Sequence, residues 1–269
     1  MGSVYFIQNR NVSMAIITLL TDFGTTDYYV ASLKANILSI NSALTIVDIS
    51  HNIAQSDISH ASYVLKHCYR DFPEGTTHMV SVGTTGHPEE KMIAIKLNGH
   101  YFVGTDNGLF GLISDNEAQL TAEIPSTNTP STFIAKQLLS TTAAKLANGT
   151  SLKDIGKPIP AYKKMLSRHL RATKKQIVGN VIRIDHYGNL ITNIEHKAFE
   201  KLHQNRQFSI SFGRYQSRSI HKYYGQVEPG DYFVLFNDSG LLEIGIYLGN
   251  ASELLGLEFD STIMINFED

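Results

Sequence analysis

The order of apolar runs in the first 82 residues constrains the fold more than any other feature of the sequence. Short runs rich in Ile, Val and Leu alternate there with segments whose apolar residues recur at three- and four-residue spacing. The first pattern is typical of buried strands and the second of helices. The expected strands cover residues 15–20, 44–49 and 77–82, and the expected helices cover residues 29–38 and 57–69. This order predicts βαβ units and an α/β domain with a mostly parallel sheet.

Turn and cap residues refine this plan. Thr26 or Asp27 stands where the first helix needs an N-cap. Asn98-Gly99 separates two apolar alternations, which predicts a β-hairpin. A further helix is expected at residues 133–147, because Asn148-Gly149 follows it as a C-terminal stop signal.

The last third of the chain has a different pattern, with short apolar runs between turn residues. Five or six short strands in about 95 residues predict a small antiparallel β-barrel. We therefore expect an α/β domain at residues 14–174 and a β-barrel domain at residues 175–269. Residues 1–13 are expected to form a poorly ordered extension, because the first strong element starts near Met14.

Composition excludes several classes of protein. The 269 residues carry 23 Lys and Arg against 25 Asp and Glu, a net charge of -2, which argues against a protein that coats nucleic acid. No apolar stretch approaches the roughly 20 residues needed to span a bilayer, and no signal peptide is visible. Cys68 is the single cysteine, and the histidines lack metal-ligand spacing. We therefore expect a soluble, cytoplasmic protein without a nucleic-acid, membrane or metal partner.

The loop after the first strand is the first candidate site. Loops at the carboxyl ends of strands line the ligand crevice of an open α/β sheet. Asp22 in this loop can accept two hydrogen bonds from a ribose diol. Alternatively, Asp22 and Asp27 only cap the following helix. The loop lacks the glycine spacing of a phosphate cradle, so a phosphate ligand is not indicated.

Two further clusters lie in the β-rich part. In residues 184–193, Tyr187 can stack on a nucleobase and Asn189 presents both a donor and an acceptor to an adenine edge. The alternative is a tight turn that uses Gly188 and Asn189 for backbone reasons. Residues 237–244 by themselves indicate only a turn.

Together these clusters carry a resemblance to a known family. The chain resembles the S-adenosylmethionine (SAM) hydroxide adenosyltransferase family, the superfamily of the SAM-dependent fluorinases and chlorinases. Characteristic motifs are TDFGTTD, GTDNGLF, IDHYGNLITNI and NDSGLLEIG. The matching segments are residues 17–65, 72–82, 101–113, 181–194 and 237–252, in the family's order and spacing.

The resemblance implies a role for each matching residue. Asp22 would hold the ribose hydroxyls of SAM, and Tyr187 and Asn189 would contact the adenine. The residues implied near the methionine end are Asp27, Tyr29, Asp185, Asp238 and Ser239. Asp185 would bind the amino group, and Asp238 with Ser239 would lie near the carboxylate. Asp238 departs from the family's serine and would repel that carboxylate.

The family resemblance also implies an activity and an assembly. Its members substitute a nucleophile at C5′ of SAM, with water in the hydrolytic members and a halide in the specialised ones. The expected assembly is a homotrimer, with each site between the N-terminal domain of one subunit and the barrel of the next. No cofactor is implied beyond SAM as substrate or ligand.

The residues that handle water in the hydrolytic members have no counterpart here. Gly83, Glu90 and Ile134 stand where those members carry Asp, Arg and His, and Ala135 stands where the halogenases carry a serine. The loop of residues 84–91 offers other candidates. His87 can act as a base near neutral pH, with Thr84 and Thr85 beside it as the other candidate catalytic residues.

Three interpretations follow from this comparison. The first is a SAM hydrolase that forms adenosine and methionine with a rearranged water site. The second is a catalytically inactive protein or sensor that binds SAM or adenosine. The third is an enzyme with a different nucleophile or nucleoside, for which no residue gives positive evidence.

Overall fold

The computed structural model describes residues 15–125, 131–166 and 169–268. The extension expected at residues 1–13 lies outside this described part. The chain divides into two compact units, residues 1–166 and 167–269, somewhat before the boundary expected near residue 175. In the described part, no helix is long and apolar enough to cross a membrane.

The first unit is a mixed sheet flanked by helices. Its described strands are β1 Ile16–Thr21, β2 Thr45–Ser50, β3 Thr77–Ser81, β4 Met92–Leu97, β5 His100–Thr105, β6 Leu120–Ile124 and β7 Lys157–Pro158. Its helices are α1 Tyr29–Ile40, α2 Ile58–Lys66, α3 Leu109–Leu112, α4 Thr141–Ala147 and α5 Leu152–Ile155, with a 3₁₀ turn at Tyr69–Asp71 and a π-helical stretch at Ala135–Ser140. The strand order is β2-β1-β3-β5-β4-β6-β7.

The expectation of a mostly parallel sheet is wrong. β1 pairs with β2 and β3 in parallel, and β3 pairs with β5 in parallel, but β4 is antiparallel to β5 and β6, and β6 to β7. The reason is the hairpin expected at Asn98-Gly99, which the structure confirms. Both residues have positive φ, 50° and 82°. A turn this short joins only antiparallel neighbours, so the chain reverses instead of crossing over.

Both faces of this sheet are covered, because successive β1 side chains point to opposite sides. Leu19 packs into one cluster with Leu33 of α1. Leu20 packs into another cluster with Ala61 and Leu65 of α2. All five side chains are fully buried. Burying a leucine stabilises the fold by about 1.5–3 kcal/mol, so both layers hold β1 in place.

Two expectations about helix boundaries need correction. α1 begins after Tyr28, with no side-chain cap, so neither Thr26 nor Asp27 is its N-cap. The helix expected at residues 133–147 is π-helical over Ala135–Ser140 before α4 begins. Asp57 does cap α2, because its side chain accepts a hydrogen bond from the backbone N–H of His60.

The second unit is an antiparallel, nearly closed barrel, as expected. Its described strands are β8 Arg171–Ala172, β9 Gln176–Ile184, β10 Leu190–Glu195, β11 Phe208–Phe212, β12 Tyr215–Ser217, β13 Tyr232–Phe236, β14 Leu241–Ile246 and β15 Thr262–Phe267. It also contains α6 His196–His203, α7 Ala251–Leu255 and a 3₁₀ turn at Tyr224–Gln226. The order is β12-β11-β15-β9-β10-β14-β13, with β8 on β9. The two edges meet where the Tyr232 hydroxyl donates to the Gln216 carbonyl at 2.8 Å.

Candidate functional site

Asp22 joins three loops at the carboxyl ends of the parallel strands. Its Oδ2 accepts hydrogen bonds from the backbone N–H groups of Ser56 at 2.9 Å and Gly83 at 3.0 Å. Ser56 follows β2 and Gly83 follows β3, and both have left-handed backbones, with φ of 58° and 63°. Within the described residues no donor contacts Oδ1. The half-buried carboxylate is therefore fixed by one oxygen and can accept from a ligand with the other.

A chain of polar side chains begins at Thr21, the residue before Asp22. The hydroxyl of the fully buried Thr21 hydrogen-bonds His51 Nδ1 at 2.8 Å. His51 Nε2 lies 3.1 Å from Asp48, and Lys34 donates to Asp48 at 2.6 Å. Burial raises the pKa of the Asp48 carboxyl, but the bonds from Lys34 and His51 outweigh this effect and hold that pKa below its usual value. Sequence reasoning missed this chain; the signal was an Asp and a His three residues apart at the end of a strand.

Aromatic rings surround the start of α1. The ring of Tyr29 lies 5.9 Å from Phe23 and 5.3 Å from Phe133, in an edge contact with the latter. Tyr28 packs on Tyr29 at 4.7 Å and is otherwise exposed. Asp27 is exposed on the same loop as Asp22. Tyr29 is thus held by aromatic contacts at the start of α1, just after the loop that contains Asp22.

The loop of residues 84–91 is closed on itself by Glu90. The Glu90 carboxylate accepts hydrogen bonds from the backbone N–H groups of Thr85, at 3.1 Å, and Gly86, at 2.8 Å. A methyl group added at Gly86 would lie 3.3 Å from the Ser131 carbonyl and 3.9 Å from Ile134. Glu90 therefore shapes the loop, and the loop packs closely on the segment that contains Ile134.

Thr84 and His87 occupy different positions on this loop. The hydroxyl of half-buried Thr84 lies 2.9 Å from the hydroxyl of Thr105, at the end of β5. His87 is exposed, and its Nδ1 accepts from the backbone N–H of Glu89 at 3.3 Å. Thr84 is thus anchored to the sheet beside Gly83, whereas His87 contacts only its own loop among the described residues.

The second unit contains a cavity of about 650 Å³. Its lining includes Asp185, Tyr187, Asn189, Tyr224 and Phe233. The structure therefore brings together the residues that the sequence singled out in the 184–193 cluster. This size suits a nucleoside-sized ligand, because small-molecule cavities are typically about 300–1,000 Å³.

Asp185 organises the turn that carries Tyr187 and Asn189. Its Oδ1 accepts from the backbone N–H groups of Tyr187 at 2.9 Å and Asn189 at 2.8 Å. Its Oδ2 accepts from the Asn189 side chain at 3.1 Å. Asn189 is thus buried in a fixed orientation, and Tyr187 is left 75% exposed. A Cβ at Gly245 would lie 2.4 Å from Asn189 Oδ1, so glycine is required behind the amide.

The 237–241 turn presents Asp238 and Ser239 to solvent. Asn237 Oδ1 accepts from the backbone N–H groups of Ser239 and Leu241, both at 3.1 Å. The Asn237 amide in turn donates to Glu243 at 2.9 Å. Glu243 is only 3% exposed, and sequence reasoning missed it, although an acid inside the apolar run LLEIGI is a visible signal.

Comparison with known proteins decides the family. The model of the SAM hydroxide adenosyltransferase N-terminal domain matches residues 17–156, and that of the C-terminal domain matches residues 179–264. The chain belongs to the SAM hydroxide adenosyltransferase family. The two matches coincide with the two units of the fold. In the described part, no group of three or more His, Cys, Asp or Glu side chains is placed to hold a metal ion.

Individual proteins similar to this chain are consistent with the family assignment. A Methanocaldococcus jannaschii protein named (R)-S-adenosyl-L-methionine hydrolase is 30% identical over 96% of this chain and 98% of its own. A fluorinase from an Actinoplanes species is 27% identical over 69% of this chain and 74% of its own. A crystal structure of an uncharacterized conserved protein from Thermotoga maritima aligns with a TM-score of 0.85 at 30% identity, over 93% of this chain and 99% of that one.

Proposed function

We propose that this member of the family binds SAM and hydrolyses it to adenosine and methionine. Relatives named (R)-S-adenosyl-L-methionine hydrolase from M. jannaschii and Thermus thermophilus, which align over more than nine-tenths of the chain, support the reaction. The observation that carries the proposal is Asp22, whose carboxylate is fixed through Oδ2 at the meeting point of three loops. A carboxylate oxygen held in this way suits the paired hydroxyls of a ribose.

Five further residues are proposed to contact the ligand. Asn189 would read the adenine edge from its fixed position, and the exposed ring of Tyr187 would stack on the base. Asp27 and Tyr29 would lie near the methionine end. Asp185 would favour the methionine amino group by its charge, although its hydrogen bonds show that it also builds the turn.

The reaction we propose is an in-line displacement at C5′. The water oxygen forms a bond to C5′ while the bond from C5′ to the sulfonium sulfur breaks. The electron pair of that bond stays on sulfur, so methionine leaves as a neutral thioether and needs no proton. The attacking water loses its proton to solvent or to a base. The protein therefore has to hold the water in line and exclude competing geometries.

Thr84 and His87 are the proposed water-handling residues, with Thr85 beside them. Thr84 is supported by its anchored hydroxyl next to the Asp22-bound Gly83. His87 is supported by its chemistry as a base near neutral pH and by its place on the same loop. Gly83, Glu90 and Ile134 cannot provide the chemistry of the family's Asp, Arg and His.

We also propose that the working form is a homotrimer with sites between subunits. Tyr187, Tyr223 and Leu248 are large side chains that stay 61–79% exposed in the second unit, and Tyr187 and Leu248 line the cavity. Exposed apolar rims of this kind are typical of surfaces that another chain covers. Sedimentation velocity measures the assembly, and a monomer at micromolar concentration would contradict it.

The test of the function is incubation of the purified protein with SAM, followed by chromatography for adenosine and methionine in equal amounts. Wild type should release both, and Asp22→Ala should release neither. Calorimetry on the same sample measures SAM binding. Binding without adenosine would instead support the inactive binding protein. Absence of both binding and turnover would reject both functions.

A further inference from the structure

Glu243 is an almost fully buried carboxylate that the proposed reaction does not use. It lies on β14, where Leu242 and Ile244 point into the barrel core. Strand side chains alternate, so Glu243 points to the other face of the sheet. Gly245 shares that face and lies directly against Asn189. Glu243 is therefore on the same side of the sheet as the cavity.

Among the residues that the structure describes, no cation pairs with this carboxylate. Within residues 169–268 the structure shows no Lys, Arg or His in an ion pair with Glu243, and its hydrogen bond comes from the neutral Asn237 amide. Burial raises the pKa of the Glu243 carboxyl, and the nearby Asp185 charge raises it further. A buried charge without a partner destabilises a fold, so its presence beside a cavity indicates a ligand-directed role.

Tyr224 connects Glu243 to the cavity wall. Tyr224 lines the cavity, and its hydroxyl interacts with the Glu243 carboxyl. Burial raises the pKa of Tyr224, and Glu243 contributes most among its charged neighbours. Asp185 and Asp238 act in the same direction. Of these carboxyl groups, Asp185 lines the cavity itself, and the buried Glu243 is the least screened by solvent.

We propose that Glu243 is a specificity-determining residue that makes this cavity prefer a positively charged adenosyl compound to its neutral analogue. The inference rests on the proposed SAM function. A sulfonium carries a full positive charge, whereas the thioether of S-adenosylhomocysteine carries none. The two compounds otherwise differ by one methyl group, so their affinity ratio measures how strongly the site favours the charge.

The test compares Glu243→Gln with wild type by calorimetry, using SAM and S-adenosylhomocysteine as probes. Gln keeps an acceptor for the Asn237 amide and removes the charge. SAM affinity should fall about fivefold, because one charge that attracts the sulfonium is lost. S-adenosylhomocysteine affinity should stay within about twofold. The exposed Glu258→Gln is the matched control and should leave the affinity ratio unchanged.

Each other outcome overturns the inference. Equal loss of both affinities would assign Glu243 a purely structural role, and no loss would leave it without a role in binding. If wild type binds SAM but Glu243→Gln leaves the ratio of SAM to S-adenosylhomocysteine affinity unchanged, only this inference is rejected. Wild type that binds neither probe rejects the proposed function and this inference with it.

A second measurement needs no variant and covers the case in which Glu243→Gln fails to fold. The ratio of SAM to S-adenosylhomocysteine affinity in wild type should fall as acidification protonates Glu243. The groups that face Glu243 are Asp185, Tyr224 and Asn237. Burial raises the pKa of the Glu243 carboxyl, so the fall should begin at a higher pH than the titration of an ordinary glutamate. A ratio constant from pH 4 to 8 would overturn the inference.

Discussion

The Asp22 carboxylate and the Gly83 backbone N–H are joined by a hydrogen bond of 3.0 Å that ties the end of β1 to the end of β3. The same oxygen bonds the N–H of Ser56, so one carboxylate fixes the geometry of three loops. Binding and loop order are therefore coupled at Asp22: a change there should alter both the affinity for a ribose and the stability of the edge that presents it.

Asp22→Asn should separate these two effects. The amide oxygen can still accept from Ser56 and Gly83, but without charge, so the free energy of unfolding should fall by about 1 kcal/mol. The KM for SAM should rise at least about tenfold, because one charged acceptor for the ribose is lost. Chemical denaturation and steady-state kinetics measure the two quantities. Asp115→Asn, on an exposed turn, is the control; an unchanged KM in Asp22→Asn would remove Asp22 from the binding site.

Thr105 should influence the reaction through Thr84. The Thr105 hydroxyl also donates to the sulfur of Met92 at 3.4 Å. Because the Thr105 proton is used in that bond, the Thr84 hydroxyl donates its own proton to the Thr105 oxygen. The Thr84 oxygen is then left as an acceptor for water. Thr105→Val should lower kcat about three- to tenfold, the effect of one hydrogen bond, with KM within twofold. An equal change in KM would show that the pair only shapes the pocket.

His87→Ala tests the base on the 84–91 loop. If His87 takes the proton from water, kcat should fall at least about tenfold while SAM affinity in calorimetry stays within twofold. His169→Ala, an exposed histidine of the second unit, is the control. An unchanged kcat in His87→Ala would show that the attacking water loses its proton to solvent and not to His87.

Asn189→Ala should weaken the binding of adenosine and the binding of SAM to the same extent. The amide is buried against Asp185 and reaches only the base in the proposed pose, so both affinities should fall about tenfold or more. Thermal unfolding of the variant checks that the 185–189 turn survives. A loss confined to SAM would move Asn189 from the adenine to the methionine end.

The sequence predicts the elements of this fold better than their arrangement. The hairpin at Asn98-Gly99 is visible because its turn chemistry is local. That half of the strand pairs in the sheet are antiparallel also depends on how β4 and β6 pair with strands outside this hairpin, and the turn sequence does not encode those pairings. The same distinction applies to the site. Asp22 is predicted by its place after a strand, but its partner Ser56 comes from another loop and has no motif. Glu243 lies within an apolar run, and only the folded sheet shows that its face is the cavity side.

The buried pair His78 and His100 should make the fold sensitive to acid. Thr18 hydrogen-bonds His78 Nδ1 at 2.7 Å, and His78 Nε2 lies 3.2 Å from His100 Nδ1. Burial, and then His100, lower the pKa of His78 to about 3 from its usual 6.5. Between these values the unfolded chain binds a proton that the folded chain does not, so stability falls as pH drops below about 6.5.

The size of this effect follows from the same values. At pH 5 the loss from His78 alone should be about 2 kcal/mol relative to neutral pH. His78→Gln keeps a polar partner for Thr18 and removes the titration, so its urea midpoint should change less between pH 7 and pH 5 than that of wild type. His169→Gln should behave as wild type does. Equal pH slopes in wild type and His78→Gln would show that His78 takes up its proton in the folded protein.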